Sequence, residues 1–184
     1  MRYFSNSKQI DYQLVDLGLP SGTLWADRNV GANTITDFGS YFAWGETSER
    51  KRYDINEDVD VSKLVLKGIL KLEHDAAFMN MRGPWRTPTE TEFEELFSNT
   101  KMKYVSNYKG SNVNGLLFTA KNKECLFFPF GGYKNFDRLV SRDVFGDYWI
   151  SNCVSYLSIG ESRRVIGQVK PSFGFNVRAV MQQP

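Results

Sequence analysis

Histidine occurs once in the 184 residues, at His74, and cysteine twice, at Cys125 and Cys153. A Ser–His–Asp relay would have to run through that single imidazole, because the base must carry a proton near neutral pH. Its neighbourhood, Leu72-Glu73-His74-Asp75-Ala76, holds no nucleophile elbow, so a solvated or structurally hydrogen-bonded histidine is expected. One histidine and two distant cysteines supply neither a zinc site nor a disulfide framework. The two thiols are expected to be buried, although spacing alone leaves their pairing open. A Gly-rich phosphate loop with its lysine is missing, and so is any run of roughly 20 apolar residues that could cross a bilayer. The opening Met1-Arg-Tyr-Phe-Ser-Asn-Ser-Lys lacks the apolar core of a secretory signal, so the chain as written is expected to carry no export address. A chain trimmed of its leader would look the same. Neither sign of charge dominates: 23 Lys and Arg stand against 21 Asp and Glu, a formal +2, which gives no basic field for a nucleic-acid partner.

Aromatic residues are plentiful instead. Fourteen Phe, nine Tyr and four Trp make 15% of the chain, the profile of a folded, β-rich recognition or catalytic domain and not of a disordered one. Trp25, Trp44, Trp85 and Trp149 each sit in a Gly- or Pro-punctuated apolar run and are expected in the core. Residues 1–13 read as a lead-in and 14–184 as a single domain. Apolar alternation over 14–19, then Pro20-Ser21-Gly22, then Thr23-Leu24-Trp25-Ala26 predicts a hairpin. Residues 34–45 predict a short helix or turn delivering Phe38, Phe42 and Trp44 to a core. The charge-rich 46–73 stretch reads as a surface insertion, because it cannot bury a core alone.

The clearest helix spans 89–98. Thr89 precedes Glu92 at capping-box spacing, with Phe93, Leu96 and Phe97 on one face. That cap also accounts for Glu92, which with Glu95 would otherwise read as an acid–base pair. From residue 102 onward the pattern is strand-like: a hairpin of 116–120 and 125–130, then runs at 148–151, 155–159, 164–169 and 175–180. Helical signal early and strands late, without strand–helix repeats, predict an α+β domain with an antiparallel sheet and one or two packed helices. Asp54, Asn56, Asp58 and Asp60 imitate the first half of an EF-hand loop, but Val59 and Val65 stand where glycine and a bidentate glutamate belong. A solvated acidic loop is expected there, and no metal or cofactor.

Residues 150–173 differ in kind, mixing small polar, cationic and aromatic types in the manner of binding paratopes. An ordinary exposed hairpin reads equally well from composition alone. The partial alternation sets Val154, Tyr156 and Ser158 on one strand face and Ser155, Leu157 and Ile159 on the other, so one face can be buried while the other displays varied chemistry.

Several segments occur together in order: Val15-Asp-Leu-Gly-Leu-Pro-Ser-Gly-Thr-Leu-Trp25, Tyr41-Phe-Ala-Trp-Gly-Glu46, Trp85-Arg-Thr-Pro-Thr89, Asn114-Gly115, Phe128-Pro-Phe-Gly-Gly-Tyr133, Tyr148-Trp149 and Gly174-Phe-Asn-Val-Arg-Ala-Val180. Together they resemble the Fibrobacter succinogenes major paralogous domain family of gut Bacteroidetes and their phages, over about residues 14–180. Two motifs depart from the usual pattern, with Thr87 in Trp-Arg-Thr-Pro-Thr and Ile150 in Tyr-Trp-Ile-Ser. The resemblance implies a C-type-lectin-like fold, similar to the variable proteins of diversity-generating retroelements. It further implies a ligand-facing surface between Tyr148-Trp149 and the terminal Val-Arg, with Asn152, Val154, Tyr156, Ser158, Arg163, Arg164, Ile166, Ser172 and Phe173 as the displayed residues. On this basis the chain is expected to be a non-catalytic adhesin or phage receptor-binding module for a surface protein or glycan, exposed on a virion or cell surface. Two alternatives remain: a structural envelope or virion component, and formylglycine-generating-type oxidation. The second uses a closely spaced cysteine pair, which Cys125 and Cys153 are not.

Overall fold

In the computed structural model, residues 11–183 are described. Most of the expected lead-in, and Pro184, lie outside them. In chain order the elements are β1 (Leu14–Val15), β2 (Thr23–Ala26), β3 (Val65–Leu66), β4 (Ile69–Leu70), α1 (Ala76–Asn80) and α2 (Glu90–Asn99). Then come β5 (Thr100–Val105), β6 (Gly115–Ala120), β7 (Cys125–Pro129), β8 (Tyr133–Asn135), β9 (Arg138–Val140), β10 (Phe145–Trp149), β11 (Ser155–Gly160), β12 (Arg164–Gln168) and β13 (Val180–Gln182). The strands form antiparallel sheets ordered β1–β2–β13, β5–β6–β7 and β10–β11–β12, with two further hairpins, β3–β4 and β8–β9. Two helices on mostly antiparallel sheets make this an α+β architecture. No helix among the described residues is long and apolar enough to cross a membrane.

The predicted 14–26 hairpin forms, with Leu14 opposite Ala26 and Val15 opposite Trp25. Its turn closes where Gly22, at φ 72°, donates its N–H to the Leu19 carbonyl at 2.9 Å. That left-handed conformation is one a side chain would oppose. α2 carries the predicted capping box: the Thr89 side chain accepts from the Glu92 N–H, and the Glu92 carboxylate accepts from the Thr89 N–H at 2.8 Å. Glu92 is also gripped by both terminal nitrogens of Arg86, at 2.6 and 2.8 Å. Burial pushes the Glu92 carboxyl up, but the bonds from Arg86 and Thr89 outweigh it and leave the pKa lowered.

Two apolar clusters divide the interior. The first gathers Trp25, Phe93, Leu96, Phe118, Phe128, Tyr148, Leu157 and Ile159 between α2 and the sheets. The second gathers Phe42, Trp44, Trp85, Trp149, Phe175 and Val177. All four tryptophans are buried, as expected. Arg178 joins the chain ends from a fully buried position. It donates to Asn29 Oδ1 at 2.8 Å and to the Phe127 carbonyl at 2.9 Å, and its guanidinium lies 4.4 Å over the Phe128 ring. Burial draws its pKa down to about 10.

Of the helix or turn expected over residues 34–45, the turn forms, with a bridge from Phe42 to Phe175; Phe42 and Trp44 enter the second cluster while Phe38 stays half-buried. Three expectations need correction. The 46–73 stretch is not merely superficial. Tyr53 is wholly buried with its hydroxyl on the Tyr41 carbonyl, and Leu70 enters the second cluster. The run 175–180 is not a strand but a buried segment held by isolated bridges of Phe175 and Asn176, with regular pairing only from β13. Finally, Cys125 and Cys153 are free and exposed, because the first opens β7 at its outer end and the second sits in a tight turn.

Candidate binding surface

The β10–β11–β12 sheet turns its two faces to different neighbours. Side chains alternate across a strand, and cross-strand partners share a face. Tyr148 therefore stands with Leu157 and Ile166, over the first cluster and α2. Phe145, Asp147 and Trp149 stand with Tyr156, Ser158 and Val165 on the other side. The sheet adopts the expected division of β11 for Tyr156 and Ser158 on one face and Ser155, Leu157 and Ile159 on the other, while Val154, expected with the first pair, lies in the turn before the strand.

The second face has an aromatic floor. Trp149 and Phe175 are buried with centroids 4.3 Å apart, and the Trp149 indole N–H donates to the Phe42 carbonyl at 2.6 Å. Around that floor stand three half-buried rings. Tyr156 lies 5.1 Å from Phe175, Tyr133 lies 5.8 Å from it, and Phe173 lies 5.6 Å from Tyr133. A polar patch adjoins them. Asp147 is buried and its Oδ2 has no hydrogen-bond partner among the described residues. Burial pushes its carboxyl up to about 6, against the opposing pull of the Ser158 hydroxyl and the Arg163 guanidinium. Exposed Arg163 donates through Nε to Ser158 Oγ at 3.1 Å and covers the Phe145 ring at 5.3 Å. Burial raises the Tyr133 pKa, and the nearby Asp147 and Tyr156 raise it further.

The residues expected to be displayed fall into three groups. Tyr156, Arg163 and Phe173 meet this face and reach solvent. Arg164 and Ile166 point to the opposite face. The Arg164 guanidinium lies 4.8 Å over Phe97 of α2, and Ile166 packs on the first cluster.

The remaining four serve the framework. Ser158 and Ser172 are 2% and 0% exposed and cannot be displayed, one covered by Arg163 and its own sheet, the other sealed in the 170–173 turn. Val154 is buried against the second cluster. Asn152 is half-buried, and its Oδ1 accepts the Glu90 N–H at 2.9 Å, capping α2 across the sheet. The turn carrying these last two, Asn152-Cys153-Val154-Ser155, closes with a 2.8 Å bond from the Ser155 N–H to the Asn152 carbonyl. It holds Cys153 at φ 35° and Val154 at φ 55°, where a hairpin of this type ordinarily places Asn-Gly. A β-branched valine in the left-handed region is strained, by roughly 1–3 kcal/mol.

Residue reasoning missed Tyr133, Asp147 and Val165. Asp147 did leave a signal: it is the lone charge in Phe145-Gly-Asp-Tyr-Trp149, at a strand position sharing a face with Trp149. Tyr133 left none, because its place depends on the Lys134–Gly174 bridge between segments 40 residues apart.

The arrangement offers rings for stacking, a guanidinium for carboxylates or hydroxyls, and a buried acceptor. Among the described residues, no three His, Cys, Asp or Glu side chains gather as metal ligands. No model of a known protein family, no characterised protein and no solved structure matches the chain.

Proposed function

We propose that this chain is a non-catalytic ligand-binding domain of the C-type-lectin-like type, an adhesin or phage receptor-binding module. Its recognition surface is the second face of the β10–β11–β12 sheet, and its ligand is a surface protein or glycan. The observation that carries the reading is the aromatic rim of Tyr133, Tyr156 and Phe173 beside Arg163 and a buried carboxylate oxygen without a partner. Of the six buried side-chain polar atoms without a partner among the described residues, Asp147 Oδ2 is the one that belongs to a carboxylate, and leaving such an acceptor unpaired costs on the order of 1–3 kcal/mol. Rings held by a packed floor bind without a large ordering cost, and partly exposed Tyr and Arg are the side chains that dominate recognition energies. The ordered family motifs support the same reading, because the segment they bracket contains β11 and β12.

The test is an array of glycans and bacterial surface proteins probed with the wild-type domain and with a Tyr156→Ala/Arg163→Ala/Phe173→Ala variant. The expected result is a defined set of ligands lost in the variant while circular dichroism and thermal unfolding show a folded chain. A folded variant that keeps every ligand would refute the assignment of the surface.

A further inference from the structure

β12 is the outer strand of its sheet. The hairpin fixes where its backbone groups point. Gly160 and Arg163 exchange N–H···O bonds across the Glu161-Ser162 loop, at 2.9 and 3.4 Å. Antiparallel pairs alternate between bonded and non-bonded, so Ser158 with Val165 and Tyr156 with Gly167 are the next bonded pairs. Arg164, Ile166 and Gln168 therefore direct both N–H and C=O away from β11, and none of these groups has a hydrogen-bond partner among the described residues. Exposed edges are ordinarily blunted by lysine, proline or a bulge. The five residues Arg-Val-Ile-Gly-Gln have neither lysine nor proline, and their register is unbroken.

Beside this edge runs a groove lined by Glu90, Glu94, Phe97, Ser98, Arg164 and Ile166. Its two ends differ in chemistry. Phe97 lies at the Arg164 end, under the guanidinium. Glu90 lies at the Gln168 end, because its N–H bonds Asn152 in the turn whose Cys153 carbonyl accepts from the Gln168 side chain.

We propose that β12 pairs antiparallel with β12 of a second copy of this chain, joining two three-stranded sheets across a two-fold axis. One register uses every outward group. With Ile166 on the axis, Ile166 meets Ile166, and Arg164 meets Gln168 of the second copy. An axis at Arg164 sets two guanidinium groups opposite each other, which is unfavourable. An axis at Val165 or Gly167 pairs an outward residue with the turn or with Lys170 beyond the strand. In the favoured register the incoming Arg164 arrives at the Gln168 end, beside Glu90, so opposite charges meet at both ends by symmetry. Two Ile166 side chains meet in the middle, next to the apolar part of each groove. The surface is thus complementary to itself, and it lies on the α2 side of the sheet, away from the recognition face. This pairing does not depend on the proposed binding function.

Sedimentation velocity from about 10 µM to about 1 mM tests it, a range that brackets the weak association expected of one short strand pair. The wild type should form a dimer. Arg164→Glu, which brings a carboxylate against Glu90 of the second copy, should weaken it by at least about tenfold. Ile166→Pro, which removes an outward N–H and leaves the pairing with β11 intact, should do the same. Met79→Lys, an exposed change on α1, should leave the dimer as it is. Unchanged circular dichroism identifies the variants as folded, and Arg164→Glu stands alone if the proline variant is not. A wild type that stays monomeric throughout the range, including one that instead binds an added unrelated strand peptide, overturns the proposal. So does a dimer whose dissociation constant is the same in Arg164→Glu.

Discussion

The two faces of the β10–β11–β12 sheet share the same backbone but obey different rules. On the α2 side, Tyr148, Leu157 and Ile159 are wholly buried, and the one polar atom among those side chains, the Tyr148 hydroxyl, donates to the Pro129 carbonyl at 2.6 Å. On the other side, Asp147 is buried with an unpaired oxygen, Ser158 bonds to an exposed arginine, and three rings stand half out of the floor. The first face is dominated by apolar burial, and the one unpartnered polar atom in the cluster beneath it is the Trp25 indole N–H, which carries no charge. The second gives up stability at defined atoms, and such places are where binding chemistry is found.

Substitutions on each face sharpen that contrast. The largest effect belongs to Leu157→Ala on the α2 side, where a fully enclosed side chain leaves a cavity; denaturant unfolding should show a loss of about 2–5 kcal/mol. Asp147→Asn on the other face should act in the opposite direction. A carboxyl whose folded pKa of about 6 lies above its unfolded value of 3.8 holds its proton longer in the folded state. It therefore costs nothing below about pH 4, destabilises progressively as pH rises from about 4 to about 6, and costs its full amount above that. The variant should unfold at a higher denaturant concentration at pH 7.5, by an order of magnitude of about 1–3 kcal/mol, and match the wild type at pH 4. An Asp147→Asn variant less stable than wild type at pH 7.5 would break the comparison.

A smaller gain is expected at the turn joining these strands. Cys153→Asn places a residue that tolerates the left-handed region at an exposed site, and thermal unfolding should show about 0.5 kcal/mol of stabilisation. Smallest of all is Arg163→Ala, which should stay within about 0.5 kcal/mol of wild type in the same assay, because the side chain is exposed and its contacts with the Ser158 hydroxyl and the Phe145 ring are made at the surface.

Local signals in the sequence carried much of this architecture. The Thr89–Glu92 cap, the Pro-Ser-Gly turn and the alternation of β11 depend on neighbours a few residues apart, and each formed where the pattern placed it. What depended on distant partners was not legible. Tyr53 is rich in charged neighbours yet buried, because Phe136 and Tyr41 close over it from elsewhere in the chain. Ser172 and Asn152 look like display residues by type, but tertiary contacts make one a sealed turn residue and the other a helix cap. Alternation assigned Ser158 to the right face; it could not show that Arg163 would cover it.

The central claim is that recognition belongs to one face of this sheet and not to the ribbon as a whole. Binding of Arg163→Ala and Arg164→Ala to a ligand found on the array, with each variant held at nanomolar concentration, tests it most directly, because the two adjacent arginines project to opposite faces. Arg163→Ala should lose most of the affinity while Arg164→Ala keeps it. Equal loss in both, or loss only in Arg164→Ala, would contradict the account.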